Sequence, residues 1–282
     1  SHGPGVDCKS DGNCDTNSNS EFESEQKIRN LKKNIESVLK LDTVQLPDDM
    51  KISTMTLEAK LSTKFYPWNI YKYINRSPGG ILINDENRNK KNKKAKNKNK
   101  QSEVFLNQVT ISIMVSKKIK PVSVKIFNSG TIHFTGCKCA DDLLEAVEKL
   151  CIECRREMAI IKNGMICDVK FAEDIDQLKV ENLYDFKVDM INCIFVVPFK
   201  INRIELQKIL KINEFDATYD SNAHAGVRIK YESVKNKITI FVFESGSVII
   251  ILGNQGFSRI NEVHVFVYRY LLENYTAILK ND

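Results

Sequence analysis

Thiols and imidazoles are the first side chains in this chain that could do chemistry. Cys137-x-Cys139 and Cys151-x-x-Cys154 have spacings at which four thiolates can close a tetrahedron around zinc. The first pair falls in a strand-to-helix turn and the second inside a predicted helix, so packed thiols are the favoured reading. A redox pair would want its thiol at a helix N-terminus, and Cys151 lies deep in the helix. His133 and His224 have no Ser, Cys or Asp constellation around them in sequence. No glycine-rich phosphate loop, Rossmann fingerprint or HExxH helix occurs, and no enzyme is expected. No metal or cofactor is expected either.

Charge is the next candidate. The chain has 282 residues and a formal charge of +6. Residues 87–100 read NRNKKNKKAKNKNK, with eight cations and no anion. Without them the charge falls to −2, so the basic character belongs to one low-complexity insert, read as a solvated loop. A polyelectrolyte-type DNA binder spreads its cations over a folded face instead. The eight cysteines are not needed as staples in a chain this long, and with no export signal visible they are expected as reduced thiols. No apolar run approaches the ~18–20 residues of a membrane span, so no membrane role is expected.

The elements that must position these groups read as a tandem repeat. Residues 1–25 are polar and expected to be disordered; 26–49 hold an amphipathic helix, Gln26 to Leu41, and a linker. A first repeat spans 50–163, with the Asn/Lys-rich insert at 84–102. An inter-repeat insertion covers 164–187, and a second repeat 188–282. Ile126-Phe-Asn-Ser-Gly130 and Val242-Phe-Glu-Ser-Gly246 are offset by 116 residues, the length of a whole supersecondary unit. In each unit strands lead through a Ser-Gly turn into another strand and then a long helix, 141–158 in the first and 259–279 in the second. Val248 to Leu252 lacks the Thr-Gly that ends Thr131 to Thr135, and a bulge is expected there.

Period-2 alternation divides these strands into two faces. Val122, Val124, Ile126, Ile132 and Phe134 form a core face that helices can cover. Lys125, Phe127, Ser129, Thr131, His133 and Thr135 point the other way, with Thr110 on the preceding strand. In the second copy the outer face is apolar among small hydroxyls: Thr239, Phe241, Phe243, Ser245, Ser247, Ile249 and Ile251. An exposed apolar sheet face calls for a partner or for cover by residues 164–189, and pattern alone leaves these two open. Dimerisation through this face is also allowed.

These residues resemble a known family. Phe127-Asn-Ser-Gly-Thr-Ile-His-Phe-Thr-Gly-Cys-Lys138 resembles the Phe-x-Ser-Gly-Lys-x-x-x-Thr-Gly-Ala-Lys signature of the TATA-box-binding protein family. Ser53-Thr-Met-Thr-Leu-Glu-Ala-Lys-Leu61 is similar to that family's first strand, and Phe243-Glu-Ser-Gly246 repeats the signature. The resemblance extends to divergent forms in large DNA viruses. It implies an α+β fold: two pseudo-symmetric repeats forming a saddle-shaped, curved antiparallel sheet with helices on the convex face. It implies binding and bending of double-stranded promoter DNA through the minor groove, where inserted phenylalanines kink the duplex. It implies a TFIIB-like factor and RNA polymerase as partners, and an intracellular site, in a nucleus or in a cytoplasmic viral factory or virion. The contact residues it implies are Phe127, Phe243, Phe241, Ser129, Thr135, Lys138, Lys230, Ile249, Ser245, Leu106, Thr110 and Asn192. Leu106 and His224 stand where the family has its second wedge in each half, and Lys125 replaces an apolar contact. The alternative is a protein-interaction scaffold that keeps the fold without TATA recognition or bending.

Overall fold

The computed structural model describes residues 16–41, 44–77, 80–83, 107–231 and 238–280, without the side chains of 16–21, 82 and 83. Ten strands form one antiparallel sheet: β1 (Lys51–Lys60), β2 (Ile81–Ile83), β3 (Gln108–Ile113), β4 (Val122–Phe127), β5 (Thr131–Thr135), β8 (Tyr184–Val196), β9 (Asp216–Thr218), β10 (Val227–Tyr231), β11 (Ile238–Val242) and β12 (Ser247–Gly253). Their spatial order is β2-β3-β4-β5-β1-β8-β12-β11-β10-β9. The order reads the same outward from the central β1–β8 pair on either side, first-half strands on one flank and second-half strands on the other. The α+β architecture expected from the sequence is the one the chain adopts.

The two halves repeat each other bond by bond at the Ser-Gly turns. Gly130 O accepts from Leu61 N at 3.0 Å, and Gly246 O accepts from Val197 N at 2.9 Å. Asn128 O accepts from Phe65 N at 3.2 Å, and Glu244 O from Ile201 N at 2.9 Å. Both glycines have left-handed φ, 92° and 85°, which a side chain resists. The turn sequence thus anchors β4–β5 to the end of β1, and β11–β12 to the end of β8.

The helices are α1 (Thr16–Leu39), α2 (Pro67–Tyr73), α3 (Ala140–Cys154), α4 (Arg203–Ile212), α5 (Ile260–Glu273) and the short α6 (Tyr275–Ile278). They cover one face of the sheet. Leu143, Val147 and Leu150 of α3, Val263, Val267 and Leu271 of α5, and Leu31 and Ile35 of α1 join the inward strand residues in one buried core. Helix α1 packs against α3 and β8, and Lys32 pairs with Asp141 at 2.6 Å.

Several boundaries differ from the sequence reading. Helix α1 begins at Thr16, upstream of the expected start at Gln26. Helix α3 ends at Cys154; Met158 opens β6 (Met158–Lys162), which pairs only with β7 (Met165–Val169). The hairpin turn is Asn163-Gly164, with φ of 52° and 78°, the two-residue turn that favours Asn-Gly. The expected boundary at 163/164 therefore cuts a hairpin. The long final helix is broken: a 3-10 segment at Asn254–Arg259 precedes α5, and Asn274 separates α5 from α6. No bulge interrupts Val248 to Leu252, because β12 pairs with β11 and β8 in unbroken register. The irregularities lie between β1 and β8.

Candidate nucleic-acid interface

The face opposite the helices is open among the described residues. Residues 164–189 do not cover it. Phe171 O accepts from Tyr66 N, Thr63 Oγ1 accepts from Asp174 N, and Ser24 of α1 donates to Glu181. These ties hold the segment beside the β1 end and α1. Phe127, Phe241, Phe243, Ile249 and Ile251 remain half-buried.

The second half is apolar where its strands meet. Phe241 pairs across to Ile249, and Ile249 to Ile194 of β8. The Phe243 ring lies 6.5 Å from that of Phe241 in a stacked arrangement. It rests on backbone: a Cβ at Gly226 would stand 3.1 Å from Phe243 Cε1. His224 meets Phe241 edge-on at 5.6 Å, and its Nδ1 lies 3.2 Å from Gly226 O. His224 thus extends the aromatic row from Phe243 through Phe241. Ser245 Oγ donates to Ser247 Oγ at the turn, as Ser129 Oγ donates to Thr131 Oγ1 in the first half.

The first half is different in chemistry. Glu58, on β1, lies across from His133, and its Oε2 is 3.1 Å from His133 Nε2. Lys187 Nζ contacts the other oxygen, Oε1, at 2.9 Å. The Phe127 ring is tilted over His133 with centroids 4.9 Å apart. Lys125 lies between Thr110 and His133 in the cross-strand row. Thr135 and Thr56 share a hydroxyl hydrogen bond of 2.9 Å.

Asn192 sits near the centre, opposite Thr54 on one side and Ile251 on the other. Its Oδ1 is buried without a hydrogen-bond partner. A buried acceptor left unmet costs ~1–3 kcal/mol. Lys230 is on the outer side of β10, largely exposed, and pairs with Asp216 at 2.8 Å. Lys138 is exposed just beyond the Thr135-Gly136 turn, its backbone N–H held by Asp142. Of the residues the resemblance implied, Phe127, Phe241, Phe243, Ile249, Thr110, Thr135, Asn192 and Lys230 share this face. Ser129, Ser245 and Lys138 are at its turns, and Leu106 lies outside the described residues. The sequence reading passed over Glu58, Lys187 and Ile194. Glu58 stands inside a motif quoted for its resemblance, but its neighbours come from β5 and β8.

Glu58, His133 and Asp189 are the one set among the described residues whose ligand atoms lie close enough for one cation, within 4.8 Å of one another. Lys187 already compensates Glu58, and we read the set as an ion-paired network. The four cysteines considered for zinc do not form such a set. Burial pushes the Cys137 and Cys151 thiols up to about 12 and the Cys154 thiol well above its ordinary value. Cys137, Cys151 and Cys154 are buried in the common core, so they act as packing groups. Cys193 is likewise buried and raised to about 12. Under native conditions iodoacetamide should therefore modify Cys139 and Cys167 while Cys137, Cys151, Cys154 and Cys193 react only on unfolding. Peptide mass mapping checks this, and early labelling of Cys151 or Cys154 would contradict it.

No protein-family profile matches the chain. A curated relative, "TATA-box-binding protein-like" of Acanthamoeba polyphaga mimivirus, is 30% identical over 256 residues, covering 82% of this chain and 67% of that protein. Among solved structures, Methanococcus jannaschii TBP matches with 15% identity and a TM-score of 0.39, covering 77% of this chain and 95% of that one. On the identity and coverage of the mimivirus relative, the chain belongs to the TATA-box-binding protein-like family.

Proposed function

We propose that this protein is a transcription initiation factor that binds and bends promoter DNA through the minor groove, using the open face of its sheet. The observation that carries this is the uncovered row of Phe243, Phe241 and Ile249 among small hydroxyls, on a sheet whose other face is buried. The minor groove presents mainly acceptors and a variable width. Rigid apolar side chains and short hydroxyls suit it, and inserted phenylalanines repay unstacking by the surface that a bent duplex covers. The helix-covered back and the sheet ends would meet a TFIIB-like factor and RNA polymerase. Its place would be where transcription occurs, a nucleus or a cytoplasmic viral factory.

A second reading, a protein-interaction scaffold, is favoured by one observation: the ionic Glu58–His133–Lys187 network and Lys125 on the first half. A dimer through the apolar half would belong to that reading.

Fluorescence anisotropy with AT-rich and GC-rich duplexes across a salt series separates the two. An AT preference that survives moderate salt is the expected result. Equal affinities that collapse steeply with salt would assign the binding to the Lys-rich insert, and the scaffold reading would replace this one.

A further inference from the structure

The turn and strand registers allow the two halves of the face to be matched position by position. Lys125 pairs with His133 in the β4–β5 ladder, and Phe241 pairs with Ile249 in the β11–β12 ladder. His133 in turn faces Glu58 on β1, and Ile249 faces Ile194 on β8. Three consecutive cross-strand positions are thus ionic or polar in one half and apolar in the other. Phe127 and Phe243 keep the same residue type, at the end of β4 and just after β11.

The two phenylalanines stand on different ground. Phe243 rests on the Gly226 backbone beside a second aromatic ring. Phe127 leans on His133, which Glu58 holds at 3.1 Å. Around it, Glu58 and Asp189 bring two carboxylates, Lys187 pairs with Glu58, and Lys125 stands opposite His133 in the next strand. Seating a duplex on this half would strip water from that network of paired charges. Desolvating paired charges is unfavourable unless the new surroundings replace their solvation, and an apolar groove wall does not. On the second half the matching row is Phe241, Ile249 and Ile194 with Arg228 at its outer end, so the same step buries apolar side chains beside a cation that suits phosphate.

Resting on the DNA-binding reading above, we propose that the two halves meet DNA unequally. The second repeat supplies the wedge and the apolar grip, and the Glu58–His133–Lys187 network holds the duplex off the first repeat. The bend is then concentrated at the second-repeat end, and the protein has a built-in polarity on its site. Glu58 and His133 are the specificity-determining residues of this arrangement, acting by excluding close approach.

The test uses the full chain and an AT-rich duplex labelled at both ends, read by anisotropy for affinity and by energy transfer for bending. F243A should weaken binding by at least about tenfold, the loss expected for one buried aromatic side chain, and should abolish the energy-transfer change. F127A should stay within about threefold of the parent, by the same scale, with the bend retained. The double variant E58I/H133I, which gives the first half the residues of the second, should bind more tightly and bend further. E58Q, which keeps the shape and removes the charge, should move in the same direction, so the conclusion does not rest on one substitution that must fold. Equal losses in F127A and F243A would overturn the inference, as would weaker binding in both E58Q and E58I/H133I. A parent protein that shows no AT preference would overturn the DNA-binding reading itself, before any variant is compared.

Discussion

Replacing Gly246 by Ala should destabilise the protein by at least about 3 kcal/mol. Two effects add. The residue has φ +85°, and an L-residue held in this left-handed region is disfavoured by ~1–2 kcal/mol. An added Cβ would also stand 2.4 Å from Val197 O and 2.6 Å from Phe199 O. These are backbone atoms of the segment following β8, and they cannot turn aside as a side chain can. Gly130 is its counterpart, with φ +92° and Cβ contacts of 2.3 Å to Leu61 O and 2.5 Å to Thr63 O. In each case the turn must part from the neighbouring segment or give up the bond that Gly130 O or Gly246 O accepts. At ~2–4 °C per kcal/mol for a chain of this size, the melting temperature should fall by roughly 6–12 °C. A drop of less than about 2 °C in either variant, on the same scale, would mean the close approach is not a constraint in solution. Both turns end at the outer face, so under the proposed function the surviving folded fraction should also bind DNA less well.

Asp142→Ala should have the next largest effect, about 3 kcal/mol, the range for breaking a buried ion pair from one side. Asp142 is buried in the first turn of α3. Its Oδ2 accepts from the Lys138 backbone N–H at 2.8 Å and lies 3.7 Å from Lys118 Nζ. Lys118 is itself mostly buried and also donates to Gly136 O at 2.6 Å. Removing the carboxylate leaves that ammonium without its counter-charge and the Lys138 N–H without its acceptor. The two groups fix the Thr135–Lys138 turn, which carries two of the implied DNA contacts. Chemical denaturation of D142A, K118M and the double variant measures the coupling. The double variant should be more stable than D142A, because the stranded charge is gone. If K118M makes no difference in the D142A background, the pair is not coupled and the turn is held by the Lys138 bond alone.

What the sequence determined by itself is local. Alternation along Val122–Phe127 and Ile238–Val242 assigned each side chain to a face, because strand geometry has a period of two. The Ser-Gly turns were legible because only glycine takes that backbone region at little expense. The motifs carrying the family resemblance are contiguous, and so they too could be read. The Asn163-Gly164 hairpin was equally local, but the apolar spacing of α3 was carried past Cys154 to Met158 and hid it.

Tertiary structure decided the rest. β2 and β9 have three residues each, too few to carry a period, and they are strands because β3 and β10 offer them an edge. The ionic network of the first half joins Glu58 to a histidine 75 residues away and to Lys187 on β8. No spacing rule links such positions, since the pairing of β1 with β5 and β8 is set by burial of their inward residues in the common core. The pairing of β12 with β8 placed Ile194 beside Ile249, so the central row is apolar in one half and charged in the other. The sequence could say that an exposed face existed; only the strand order determined which side chains meet on it, and that the two halves of the sheet present different surfaces.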